Sequence, residues 1–110
     1  MPNVIEVLAE PHRRGILDRL RDGEASVGTL VQELGSSQPL ISKHLRVLRD
    51  AGLVDVRVDG QRRLYRVRPE GLREVDAWLA PYRQMWESSL DRLEAHVTAA
   101  HATTRGETHD

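Results

Sequence analysis

The 110-residue chain contains no cysteine and no phenylalanine. Without thiols it can build neither a disulfide framework nor a thiolate metal centre. It has only two Trp and two Tyr, and 39% of its residues are apolar. That is one domain's length with a thin supply of core side chains, and small domains of this kind often complete their core by pairing. No apolar run approaches the roughly 20 residues that span a bilayer, and Met1-Pro2-Asn3 opens no signal peptide. A cytoplasmic protein with no membrane partner is expected. A glycine-rich phosphate loop is absent too. Ser42 and His44 sit about 160° apart around a helix, so they cannot form a nucleophile and base. Neither an enzyme nor a cofactor is expected.

The chain also lacks an overall excess of charge, with a net value of −1. Divided along the sequence, that balance disappears. Residues 36–68 hold eight Lys and Arg against three acids, a local charge of +5. Residues 1–35 hold four Arg against six acids, and 69–110 hold four Arg against eight. A basic module between acidic flanks is the footprint of a face that meets phosphates.

The basic module opens with GSSQPLISKHLRVLRDAGL, residues 35–53. Ser36 and Ser37 are good N-caps, and a proline in the first turn, here Pro39, is tolerated there. Gly52 stands where a left-handed residue ends a helix. Between these marks Ile41, Leu45 and Leu48 form one apolar stripe, flanked by Leu40, His44 and Val47. Pro39, Ser42, Lys43, Arg46, Arg49 and Asp50 occupy the opposite arc. Val54, Val56 and Val58 then alternate with polar residues, Asp59-Gly60 marks a tight turn, and Arg63, Tyr65 and Val67 alternate again before Pro69. This spacing predicts a two-stranded hairpin with Gln61, Arg62 and Arg63 at or beside its tip. Upstream, Ser26 caps a helix that Gly35 closes, giving helix-turn-helix spacing with the Ser37 helix. Pro11 starts an earlier helix through about Arg21. A short segment from Asn3 to Ala9 should pack on a partner helix, with the C-terminal one expected.

The pattern Ser37-Gln38-Pro39, Ser42, His44-Leu45, Leu48, Ala51-Gly52-Leu53-Val54, followed by a basic hairpin, resembles the ArsR/SmtB family of winged-helix repressors. The stretch LAEPHRRGILDRL, residues 8–20, is similar to that family's second helix. The resemblance is close over roughly residues 5–68. It implies a mainly α fold with a small β-hairpin, a winged helix-turn-helix in the order α-α-α-α-β-β-α. It implies double-stranded DNA as partner and a homodimer formed through terminal helices. Carried onto this chain, the DNA-binding candidates are Ser37, Gln38, Pro39, Ser42, Lys43, His44 and Arg46 on the helix and Gln61, Arg62 and Arg63 on the wing. Gln38, Ser42 and Lys43 are the expected base readers, since Gln suits adenine and Lys suits guanine. His44, beside the apolar stripe, is a phosphate or packing contact.

Many members of that family sense metals, and the ligands do not carry over. The thiolate positions fall around Ser26, Gly28 and Val31, none of which binds a soft metal. On the last helix Asp91, Glu94, His96 and His101 are present, but the two histidines lie about 140° apart. No metal site is expected, and operator affinity should not respond to metals.

From Glu70 onward Leu72, Val75, Leu79, Tyr82, Trp86, Leu90, Leu93 and Val97 step by three or four. Pro81 predicts a kink or break in that helix. The seam exceeds what the first 68 residues could cover, so Leu79, Tyr82, Trp86, Leu90 and Leu93, helped by Val4, Ile5 and Leu8, are expected to form the dimer interface. Residues 1–100 should form the DNA-binding and dimerisation domain and 101–110 a polar, frayed tail. Two alternatives stand beside a repressor. One is a protein–protein interaction module using the aromatic C-terminal helix. The other is a metal-responsive repressor with ligands on that helix. A small-molecule effector, if there is one, is not legible.

Overall fold

In the computed structural model, which describes residues 3–104 and side chains through Glu94, each of the first four helices begins on a side chain that accepts from one or two of its free N–H groups. Asn3 Oδ1 accepts from Ile5 N at 2.8 Å to start α1, Val4–Leu8. Glu10 Oε2 accepts from His12 N at 2.7 Å to start α2, Pro11–Arg21. Ser26 caps α3, Val27–Leu34, and Ser37 caps α4, Gln38–Asp50. A hairpin follows, β1 Val54–Asp59 and β2 Arg62–Val67, then a 3-10 turn at Pro69–Leu72 and α5, Arg73–Thr104. This is the expected order of elements, with one added turn.

The chain divides into two compact units, Met1–Val75 and Asp76–Asp110. The expected single domain over 1–100 thus contains both the winged helix and most of the second unit. The first unit has an aliphatic core. Ile16 of α2, Leu30 of α3, Leu45 and Leu48 of α4, and Leu53 and Val54 beyond it are at most 1% exposed. Each such side chain contributes about 1.5–3 kcal/mol when taken fully from water. Val4 and Val7 of α1 join this cluster, and α1 packs against α2. The sequence had suggested the C-terminal helix as its support.

The end of α4 decides where the wing goes. Leu53 N donates to Leu48 O and Gly52 N to Arg49 O, both at 2.9 Å, with Gly52 at φ +78°. This pair of bonds closes the helix and turns the chain directly into β1. The strands pair antiparallel from Val54 with Val67 to Asp59 with Arg62. The loop is therefore Gly60-Gln61, one residue later than the Asp59-Gly60 dipeptide suggests, with Asp59 and Arg62 as the last paired residues of the ladder. The free edge of β2 is partly paired as well. Ala25 and Tyr65 exchange two backbone hydrogen bonds at 3.0 and 2.8 Å. Beside them Arg57 forms an ion pair with Glu24. Only the base of the hairpin lies over the core, so Val58 is 67% exposed despite its place in the alternating pattern.

In the second unit, α5 runs unbroken through Pro81. Of the expected kink or break, the break does not occur. Proline there removes one helical N–H. Arg83 spans that turn, donating to Asp76 Oδ1 at 2.7 Å. Helix α5 takes in the first four residues of the expected tail, and residues 105–110 lie outside the described residues.

Gly71 marks the tightest backbone approach. A Cβ there would stand 2.2 Å from the Gly52 carbonyl oxygen. Because the obstructing atom is backbone at the α4–β1 turn, Gly71→Ala should destabilise the protein by about 1–3 kcal/mol or more. Urea unfolding of the two proteins measures this, and equal midpoints would contradict the close approach.

Candidate nucleic-acid interface

A helix that buries one side is committed to what it shows on the other. With Ile41, Leu45 and Leu48 sealed in the core, Gln38, Pro39, Ser42, Lys43, Arg46, Arg49 and Asp50 of α4 are exposed. The expected reading arc is therefore presented whole. Its Ser37 has a second duty, since its hydroxyl accepts from Leu40 N at 3.3 Å as the helix cap. The wing stands alongside. An open polar groove lined by Ser42, Leu45, Arg46, Arg49, Asp50, Arg63 and Tyr65 joins α4 to β2. Gln61, Arg62 and Arg63 at the tip are all exposed. Of the expected residues, Ser42 and Arg46 of the helix and Arg63 of the hairpin thus meet in one groove of the first unit, with Arg49 beside them.

A set of ion pairs flanks that face and leaves its outer cations free. The Glu24 carboxyl sits below its ordinary pKa because it accepts from the Arg57 guanidinium, which is raised in turn. Arg66 donates to Asp55 at 3.4 Å across the strands. These pairs are exposed and worth little each, but they neutralise the flank of the hairpin and leave Arg62 and Arg63 unpaired among the described residues.

Residues 8–57 match the model of a helix-turn-helix domain. An HTH-type transcriptional regulator of Mycobacterium tuberculosis is 45% identical over 67 residues, 61% of this chain and 63% of its own length. The crystal structure of a possible transcriptional regulator for arsenical resistance superposes with a TM-score of 0.67 and 42% identity, covering 87% of this chain and 97% of that one. The homodimeric winged helix-turn-helix DNA-binding domain of a possible ArsR-family transcriptional regulator from Mycobacterium bovis superposes at 0.60 with 31% identity, over 74% and 75% of the two chains. The chain belongs to the ArsR family of transcriptional regulators. Relatives named as repressors, from Bacillus subtilis and Staphylococcus xylosus, match as well. These names indicate regulation of transcription and not catalysis.

In this ArsR-family chain one expected DNA contact is placed elsewhere. Of the phosphate or packing contact expected of His44, the structure shows the packed one, since its side chain is only 6% exposed inside the first unit. Its Nδ1 accepts from Arg13 Nε at 3.2 Å, and its Nε2 lies 3.9 Å from Glu10 Oε2. The His12 ring lies parallel to it with centroids 5.7 Å apart, and His12 Nδ1 is 2.9 Å from Glu10 Oε1. Sequence reasoning missed Glu10 and Arg13. An acid directly before Pro11 was a readable cap signal, whereas nothing local connects Arg13 with a residue on α4. Val4 is a second correction. It is 6% exposed in the core and cannot supply a dimer contact, while Ile5 is 36% exposed and Leu8 is half-buried.

Glu10, His12 and His44 bring one ligand-type atom each within 4.8 Å of one another. The surroundings suit a hydrogen-bond network better than a cation. Arg13 already donates to the buried imidazole, and Glu10 is the cap at the positive end of α2. Of the C-terminal candidates, Asp91 and Glu94 are exposed, and the His96 and His101 side chains lie outside the described residues.

Burial holds the His44 imidazole below its ordinary pKa of 6.5, helped by the Arg13, His12 and Lys43 charges and opposed by Glu10. The unfolded chain takes up a proton at this residue near pH 6.5 while the folded chain does not. The folded state is therefore fully favoured above that pH and loses stability as pH falls below it. Glu10, held under its ordinary 4.5 chiefly by its hydrogen bond from His12, adds a separate loss at lower pH. Urea unfolding at about pH 7.5 and about pH 5.5 should show a larger loss for wild type than for His44→Asn. Equal losses would show that His44 is not buried in its neutral form.

Proposed function

We propose that this protein is a homodimeric transcriptional repressor that binds an inverted-repeat operator, with α4 in the major groove and the wing on the neighbouring backbone. The observation that carries this reading is the groove between α4 and β2, where exposed Arg46, Arg49 and Arg63 converge beside Ser42. Gln38, Ser42 and Lys43 are the base readers, and Arg62 and Arg63 neutralise phosphate or enter the minor groove. The positive end of α4 favours a nearby phosphate too. Such a regulator works where the chromosome is, in the cytoplasm.

The second unit supports the dimer. Trp78, Tyr82, Met85, Trp86, Leu90 and Leu93 are between 47% and 66% exposed in the single chain, and Leu79 is half-buried. Three of the four aromatic residues of the chain lie on this one helix, and water-exposed apolar surface of that extent marks an interface. A two-fold axis makes each copy cover the other's surface with the same residues. It sets two α4 helices about one DNA turn, roughly 34 Å, apart and so calls for an inverted repeat. The same exposed face also fits a protein–protein interaction module, but that reading leaves the basic groove without a purpose.

Two experiments test the proposal. Arg62→Ala/Arg63→Ala should weaken binding to every duplex alike and reduce the slope of log affinity against log salt by about one for each phosphate no longer neutralised. An unchanged slope would remove the wing from the interface. Sedimentation of wild type and a Trp86→Ala/Leu90→Ala variant should give a dimer and a monomer at micromolar concentration, with specific binding to the full operator abolished in the variant. A monomeric variant that still binds the full operator tightly would overturn the dimer.

A further inference from the structure

The groups around His44 do no reading themselves, yet they sit behind the helix that reads. His44 is the single buried polar side chain among the described residues, and it lies on α4 about 160° around the axis from Ser42. We propose that Arg13 is a positioning residue for DNA recognition: its one guanidinium joins the end of α1 to His44 and so fixes the roll of α4. The proposal rests on the reading of α4 as the base-contacting helix.

The apolar stripe alone leaves that roll loosely set. Hydrophobic contact is non-directional. Leu40 on the flank of the stripe is half-buried, as is Val47, and either could move further in as the helix turned. A hydrogen bond is directional, and a buried ring nitrogen left without a donor is penalised. Arg13 supplies that donor at 3.2 Å. Its Nη1 also donates to Val7 O of α1 at 3.3 Å. Arg14, next along, donates to Leu8 O at 2.8 Å and Ala9 O at 3.2 Å. Two adjacent arginines of α2 thus clasp the end of α1, and one of them also reaches the middle of α4. A shift of α1 has a direct path to the orientation of Gln38, Ser42 and Lys43.

The clasp works with neutral His44, whose Nδ1 accepts. The charged and titratable groups facing the ring are Glu10, His12 and Arg13 at the start of α2 and Lys43 on its own helix. Protonation removes the acceptor and sets a cation against Arg13 and Lys43. Operator binding should therefore weaken toward acid, opposite to the gain a basic DNA-binding surface makes when exposed histidines charge.

The test uses the full chain, a duplex that wild type selects from a randomised pool, and a scrambled duplex of equal length. Arg13→Gln should lose about tenfold in affinity for the selected duplex. Its affinity for the scrambled duplex and its salt slope should stay as in wild type. His44→Asn puts an amide oxygen near the place of Nδ1, so it should keep wild-type affinity at about pH 7.5. Between about pH 7.5 and about pH 5.5 its preference for the selected duplex should stay flat while that of wild type falls. Circular dichroism confirms that each variant is folded, and if Arg13→Gln is not, the His44→Asn comparison decides. Equal loss on both duplexes with a salt slope lower by about one would make Arg13 a phosphate contact and overturn the proposal. So would a wild type whose preference is indifferent to pH. Loss of preference in Lys43→Ala but not in Arg13→Gln would sink the positioning role and leave the reading of α4 intact. A wild type that selects no sequence would overturn both.

Discussion

Burial of the Ile41, Leu45 and Leu48 stripe is the constraint on which the rest of the first unit depends. These three side chains are at most 2% exposed and sit among Ile16 and Leu20 of α2 and Leu30 of α3. Once that side of α4 is sealed, helical geometry alone sends Ser42, Lys43, Arg46 and Arg49 outward. The same burial anchors the C-terminal end of α4, where Leu48 accepts from Leu53 N and the chain turns into β1. The wing therefore starts at a fixed place relative to the exposed arc. Core packing, helix ending and basic face are one arrangement seen from three sides.

Polar contacts then refine what apolar contacts leave loose. Ala25 pairs with the edge of β2, and Glu24 holds Arg57, so the hairpin is tied at its middle, short of the tip. Glu10, Arg13 and His44 perform a comparable service behind α4. Such pairs add little to stability individually. Their value lies in direction, because a donor and acceptor specify an orientation that packed methyl groups do not.

Much of the fold was legible because its signals are local. Ser26 and Ser37 stand before their helices, Pro11 stands inside the start of its own, and Gly35 and Gly52 stand after theirs; the boundaries of α2, α3 and α4 follow from these marks. The basic arc and hairpin were legible for the same reason, as periodicity and turn chemistry act over a few residues. Where reasoning from the chain fell short, the deciding contacts were distant. Val4 was assigned to a partner but is absorbed by its own core, and α1 rests on α2. Pro81 predicted a kink or a break, and α5 continues through it without a break.

The sequence by itself determined the kind and order of the main elements, where α2, α3 and α4 start and stop, and which side of α4 is basic, since caps, turns and hydrophobic period are properties of neighbouring residues. Tertiary structure decided the role of His44. Its place on the flank of the stripe allowed either a phosphate contact or a packed one. Only the approach of Arg13, thirty-one positions earlier, made it a buried acceptor. Partnership between residues that far apart depends on how two helices cross, and no local pattern encodes that crossing.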